Sequence, residues 1–275
     1  SGRESRFQYA TPQGYASELL AEGGWRPLPV LRDQESFNLS PVGLSRLLAG
    51  AEKPSVAFCR HINGVLPRMD EIVALCKTHG VLPVEDMGGL LGASLHGKKM
   101  GDFDSVAFLD CSSADAMVPL WDTTVFFLTT IPPAHRKAVE KLFSDFKYSC
   151  SAETGLTIKI ALSRVPALVL SRQAAYGEYA GFFASLSNKK WQVQKVPFGV
   201  IAAPDSFCFM PVDGNENASA AFAEELLRSA QKALDGQQAA LLQRRLCGYG
   251  GGILSVPLDI EPRLMFELLR PLFQK

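Results

Sequence analysis

Short apolar runs recur along the first half of the chain. Ser55-Val56-Ala57-Phe58-Cys59, residues 81–85, Ser105-Val106-Ala107-Phe108-Leu109 and Val125-Phe126-Phe127-Leu128 are rich in β-branched and aromatic side chains. That is the pattern of strands buried in a parallel sheet. Between the first two, Met69-Asp70-Glu71-Ile72-Val73-Ala74-Leu75-Cys76-Lys77 sets its apolar residues at helical spacing, with Gly80 as a stop. Ser40-Pro41 offers a cap followed by proline at the first helical position, and Leu44, Leu47 and Leu48 follow as the inward side. Helix and strand thus alternate across residues 9–110, which predicts an α/β domain with a mostly parallel sheet.

Beyond Thr130 the pattern changes. Pro132-Pro133 opens a helix over 134–146, and residues 156–183 read as one long helical region, interrupted near Pro166, that links two lobes. The remainder carries strands at 207–210 and 253–256 and helices at 219–234 and 262–273, a smaller α/β lobe with glycine-rich 248–252 as a turn. The expected division is a sheet domain over 1–150, a helical link over 151–190 and a small domain over 191–275.

With 275 residues, 47% of them hydrophobic, the chain can bury a sizeable core. Its 28 basic residues balance 28 acidic ones, which leaves no footprint for nucleic acid or an anionic membrane surface. The six cysteines are scattered with no CxxC and no metal-ligand spacing, so they read as reduced thiols. No charged leader and no uninterrupted apolar run of spanning length are visible, so the expectation is a cytoplasmic protein with no membrane partner.

Candidate chemistry is sparse. Asp86 ends the apolar run Val81-Leu82-Pro83-Val84-Glu85, where α/β sheets place ligands; an aspartate there also commonly caps a turn. Cys111 lies between acidic neighbours Asp110 and Asp115, which disfavour a thiolate, and reads as a buried cysteine. His61 and His79 read as surface or strand-end residues. Gly248-Tyr249-Gly250-Gly251-Gly252 precedes a strand instead of opening a helix after one, so it is a turn and not a phosphate loop.

Val84-Glu85-Asp86-Met87-Gly88-Gly89, then Gly92-Ala93, Gly97-Lys98-Lys99, Gly101-Asp102 and Val106-Ala107-Phe108, resemble the sugar aminotransferases of the DegT/DnrJ/EryC1/StrS family. Upstream, Ser36-Phe37-Asn38-Leu39 and His61-Ile62-Asn63-Gly64 fit the same order. Downstream, Ile253-Leu254-Ser255-Val256-Pro257-Leu258 resembles the family's last strand. The resemblance implies a fold-type-I pyridoxal phosphate-dependent transferase architecture with a site at a dimer interface. The family's Gly-Thr segment that holds the cofactor phosphate has no counterpart in this sequence.

By that resemblance Asp86 matches the aspartate that pairs with the pyridinium nitrogen of the cofactor, and Tyr9 an aromatic that stacks on its ring. Gly89 stands where the family has a glutamine or histidine. The Schiff-base lysine belongs near Ser112 and Ser113, yet residues 100–136 contain no lysine, and Ser, Cys and Asp cannot replace a primary amine. Tyr148 and Cys150 fall where the family presents Asn and Arg toward phosphate.

The expected function is therefore a catalytically inactive relative, with Asp86, Tyr9 and Gly89 as vestiges of a cofactor site. It would serve as a scaffold, regulatory or partner-binding subunit, without cofactor, as a homodimer or in a hetero-oligomer with a related protein, with a small-molecule ligand as a further option. The alternative is a pyridoxal phosphate-dependent aminotransferase acting on a keto sugar nucleotide, its missing groups supplied by another subunit.

Overall fold

The computed structural model of the protein describes residues 8–12, 24–51, 53–87, 91–110, 124–125, 136–137, 140–141, 151–186, 189–247 and 251–274. Its largest sheet is built from β1 (Gln8–Pro12), β2 (Arg26–Val30), β3 (Val56–Arg60), β4 (Leu82–Asp86), β7 (Val106–Asp110) and β8 (Thr124–Val125). The strand order is β2-β1-β3-β4-β7-β8, parallel throughout except for β8, which runs antiparallel to β7. One face of this sheet packs on α1 (Pro41–Ala49) and α2 (Met69–His79), whose Leu44, Leu48, Met69, Ile72 and Cys76 join Ala57, Cys59 and Ala107 in a single apolar cluster.

The helix boundaries follow the expected local chemistry. Ser40 accepts the Gly43 N–H at the start of α1, with Pro41 in the first turn. Gly80 ends α2 in the left-handed conformation, φ 68°, returning its N–H to the Cys76 carbonyl. Strands β3, β4 and β7 each begin one residue later than the sequence pattern suggests. Of the predicted strand at 125–128 only Val125, in β8, is among the described residues, and most of the predicted helix at 134–146 also lies outside them.

A short hairpin, β5 (Ser94–Leu95) and β6 (Lys98–Lys99), carries β10 (Val200–Ile201) on its edge. Neither was expected, because two-residue strands carry too little alternation to read. The C-terminal lobe is an antiparallel sheet, β12-β11-β9, of Leu254–Pro257, Ser206–Pro211 and Trp191–Val193, with α4 (Glu216–Ala233), α5 (Gly236–Arg245) and α6 (Pro262–Phe273). The single helix expected at 219–234 is thus followed by a second one. Asp235 separates them, capping α5 by accepting from the N–H groups of Gln237 and Gln238. Aromatic rings dominate this second core; Phe209, for example, lies edge-on to both Trp191 and Phe222.

Helix α3 (Ala152–Ser185) connects the two cores, and it is one continuous helix instead of the interrupted pair expected at Pro166. Its inward residues Val165 and Val169 belong to the first core, while Tyr179 and Phe182 belong to the second. A proline costs one backbone hydrogen bond, and packing on both cores outweighs that local preference. Continuity also makes α3 the one helix among the described residues that is long and apolar enough, by length and composition, to cross a membrane, with 11% of its most apolar window buried. The sequence pattern, read as broken at Pro166, hides this.

Candidate functional site

Strand β4 has two faces with different surroundings. Successive side chains of a strand alternate, so Glu85 and Asp86 point opposite ways. Glu85 faces the helices and is fully buried. Its carboxylate accepts the Gly101 N–H at 3.3 Å and the Ser105 hydroxyl, and the ring of buried His61 lies 3.6 Å away. Ser105 also touches the Phe103 carbonyl, at 2.7 Å. The loop entering β7 is thereby fastened to the end of β4. His61 has neither ring nitrogen in a hydrogen bond; it directly follows the end of β3, as a strand-end residue, but its burial rules out the surface position that was the other expectation. Cys59, the register partner of Glu85 on β3, shares this face, and burial holds its thiol well above the ordinary range, with Cys76 and Glu85 adding to the rise.

Asp86 lies on the other face, half-buried at the carboxyl end of β4. Its register partner on β3 is Arg60, also half-buried, and on β7 it is Phe108. Partners in adjacent parallel strands lie about 4.8 Å apart with side chains on the same face. Arg60 therefore brings a guanidinium to the same strand end as the Asp86 carboxylate, a neighbour that the sequence reading passed over because the two lie 26 positions apart and meet only through strand pairing. Phe58 and Phe108 continue the face below them, ring centres 6.0 Å apart.

Of the other residues singled out by sequence, Tyr9 sits on β1 in register with Pro27 and Val56, on the far side of β3 from Asp86. Gly89, Ser112, Ser113, Cys111, Tyr148 and Cys150 lie outside the described residues. Lys98 and Lys99 occupy the exposed strand β6, and each lysine among the described residues is exposed. No group of three or more His, Cys, Asp or Glu side chains that could hold a metal ion occurs among the described residues.

Above the carboxyl ends of the strands runs a buried polar seam that motif reading missed. Asn63, at φ 57°, accepts the backbone N–H groups of Asp205 and Ser206 and donates to Gln194 Oε1 at 2.9 Å. Gln194 donates to the carbonyls of Ser36 and Ile62, and Asn38 accepts the Ile62 N–H and donates to the Val65 carbonyl. Asparagine adopts the left-handed conformation at lower cost than most side chains. Beside it, Gly64 is obligatory, because a Cβ there would lie 1.9 Å from the Ala203 carbonyl oxygen. The signal in the sequence was Asn38 and Asn63 set beside apolar neighbours; Gln194, next to Lys195, carried none. The seam joins the lobes as a buried, internally satisfied network. A separate cleft of about 270 Å³, lined by Asp33, Ser36, Arg68, Lys195 and Phe198 among others, opens beside it and shares no residue with the Asp86 strand end.

Residues 15–110 match the model of the DegT/DnrJ/EryC1/StrS aminotransferase family. Over 94 residues the chain is 36% identical to the Bacillus subtilis (strain 168) protein named "Putative pyridoxal phosphate-dependent aminotransferase EpsN", which covers 32% of this chain and 24% of that protein. Over 88 residues it is 31% identical to the "Pleiotropic regulatory protein" of Geobacillus stearothermophilus, covering 32% of this chain and 23% of that protein. The aligned part thus spans about a quarter of these relatives' length. Solved structures extend the likeness to nearly the whole chain. A 3-amino-5-hydroxybenzoic acid synthase superposes with a TM-score of 0.72 over 98% of this chain and 79% of the other, at 14% identity. The Streptoalloteichus hindustanus aminotransferase TlmJ gives 0.72 over the same shares at 16% identity. Residues 15–110 thus match that family's model, in a chain whose α/β fold is like that of the solved aminotransferases.

Proposed function

We infer that this protein keeps the aminotransferase fold without the transamination chemistry and acts by binding, as a regulatory or partner subunit. The observation that carries this reading is the absence of an amine for the cofactor. No lysine occurs in residues 100–136, and the flanking Lys98, Lys99 and Lys137 are exposed. Pyridoxal phosphate needs a lysine to hold it and shuttle protons, and a carboxylate to keep its ring nitrogen protonated. Asp86 supplies the second, but Arg60 already brings a cation to that strand end, which lowers the gain from adding a pyridinium. The residues present do not fit the cofactor as a covalently held group. The name of the Geobacillus stearothermophilus relative, a regulatory protein, supports a binding role for this fold.

The test is the visible spectrum of the protein with added pyridoxal phosphate, followed by borohydride reduction and intact mass. The expected result is no aldimine band and no added mass; a reducible adduct on one lysine would overturn the reading. Retention of Asp86 favours a second reading, a pyridoxal phosphate-dependent aminotransferase of keto sugar nucleotides completed by another subunit. It requires that mixing with an active relative change that relative's activity or mass. The remaining parts of the proposal are a cytoplasmic location and division into a sheet domain, helical link and small domain at residues 1–150, 151–190 and 191–275.

A further inference from the structure

The cleft beside the amide seam has walls from both lobes. Asp33, Pro41 and Arg68 come from the sheet domain, and Lys195, Pro197 and Phe198 from the segment that follows β9. The Lys195 N–H donates to the Glu35 carbonyl at 2.7 Å, which fixes one wall against the other. Phe198 is 95% exposed, yet the turn that carries it is held on both sides. The Val200 N–H donates to the Pro197 carbonyl at 3.1 Å, and the Gly199 carbonyl, at φ 79°, accepts the His96 N–H at 2.8 Å. The fold therefore presents a bare aromatic ring on a fixed backbone at the edge of a concavity, which is apolar surface open to a ligand.

The polar lining carries charges of both signs. Glu35 and Lys195 answer each other, carboxylate to Nζ at 2.7 Å. Asp33 collects the Ser36 N–H and O–H and the Glu35 N–H on Oδ1, and its Oδ2 takes no hydrogen bond among the described residues. Arg68 meets Glu71 through Nη1 at 3.0 Å, in an exposed pair one turn apart on α2. Such a surface pair contributes little and is readily exchanged, and the guanidinium has further donors in its planar fork. A carboxylate oxygen and a guanidinium thus remain available in one cleft, together with the Phe198 ring. A ligand with a single charge would satisfy one of these groups and desolvate the other without a partner.

We propose that this cleft is a binding site for a free aromatic amino acid, whose ammonium meets Asp33, whose carboxylate meets Arg68 and whose ring lies against Phe198. A zwitterion matches a lining of two acids and two bases, and a volume of about 270 Å³ suits a metabolite with one ring better than a nucleotide. Ring against ring adds a contact that an aliphatic side chain lacks. Ser36, whose carbonyl accepts from Gln194, lines the same cleft, so an occupant touches both lobes beside the network that joins them. The site shares no residue with the Asp86 strand end and stands or falls independently of whether the chain binds pyridoxal phosphate.

Ligand-observed NMR titration of the full chain tests it. L-Phenylalanine should bind with a Kd of about 1 mM or tighter. Phenethylamine, which lacks the carboxylate, 3-phenylpropionate, which lacks the amine, and L-glutamate, which lacks the ring, should each bind about tenfold more weakly or not at all. Phe198→Ser and Arg68→Gln should each weaken L-phenylalanine about fivefold or more. Far-UV circular dichroism checks that each variant stays folded, and Phe198→Ser, at a side chain almost wholly in water, keeps the test valid if Arg68→Gln does not fold. No binding of L-phenylalanine at about 10 mM, equal binding of any of the three analogues, or affinity indifferent to Phe198→Ser would overturn the proposal. So would binding that survives Phe198→Ser and is lost on Asp86→Asn, which would move the ligand to the strand end.

Discussion

Glu85 and Asp86 are consecutive carboxylates of one strand with opposite circumstances. Glu85 is fully buried, and its oxygens are met by the Gly101 N–H and the Ser105 hydroxyl. Asp86 is half-buried on the other face, with a guanidinium at the neighbouring register position. The family motif draws attention to Asp86, yet the tertiary structure invests in Glu85. One residue of strand alternation separates a carboxylate enclosed by the core from one at the half-buried strand end.

Substitutions should separate the structural carboxylate from the strand-end one. The largest effect is expected where the seam closes over the strand ends. Gly64→Ala puts a methyl group into the Ala203 carbonyl at φ 64°, and should cost about 3 kcal/mol or more in urea unfolding. Wild-type stability would mean that the lobes are not held this closely.

Next, Glu85→Ala should cost about 3 kcal/mol, because it removes the buried acceptor shared by the Gly101 N–H and the Ser105 hydroxyl and opens a cavity, whereas Asp86→Ala should cost under about 1 kcal/mol. Equal losses would erase the distinction between the two faces. Gln194→Ala, which removes the amide bridging Ser36, Ile62 and Asn63, should cost about 2 kcal/mol and raise proteolysis between the lobes.

The smallest effect concerns pH. Burial pushes the Cys76 thiol up from its ordinary value of 9.0 to about 12. The unfolded chain therefore releases this proton first, so stability is complete below pH 9 and declines as pH rises toward 12. The slope is at most about 1.4 kcal/mol per pH unit for this thiol. Thermal melts of the wild type and Cys76→Ala between pH 8 and 10.5 check it; identical slopes would refute the assignment. Cys59 and Cys208 are raised in the same direction by burial and add to the wild-type decline.

Much of the architecture was legible in local pattern. The helix at 262–273 has the bounds read from sequence, because Pro262 starts it and its apolar spacing is regular. The strands of the large sheet shifted by one residue, since a continuous apolar run carries no mark of where pairing begins. Residues 236–245 were missed as a helix because Leu241, Leu242 and Leu246 are too few to show a period without the Asp235 cap. At the candidate site, Asp86 was legible through its motif. Arg60 was not, because its significance depends on which strand lies beside β4.

The alternation of strand and helix, the missing amine after β7 and the aspartate at the end of β4 are all local or compositional, and each could be read from the chain alone. What each carboxylate meets, the unbroken course of α3 through Pro166 and the amide seam between the lobes emerge only on packing. Those outcomes depend on contacts between residues far apart in the chain, whose energies exceed local preferences once two cores are packed on one helix.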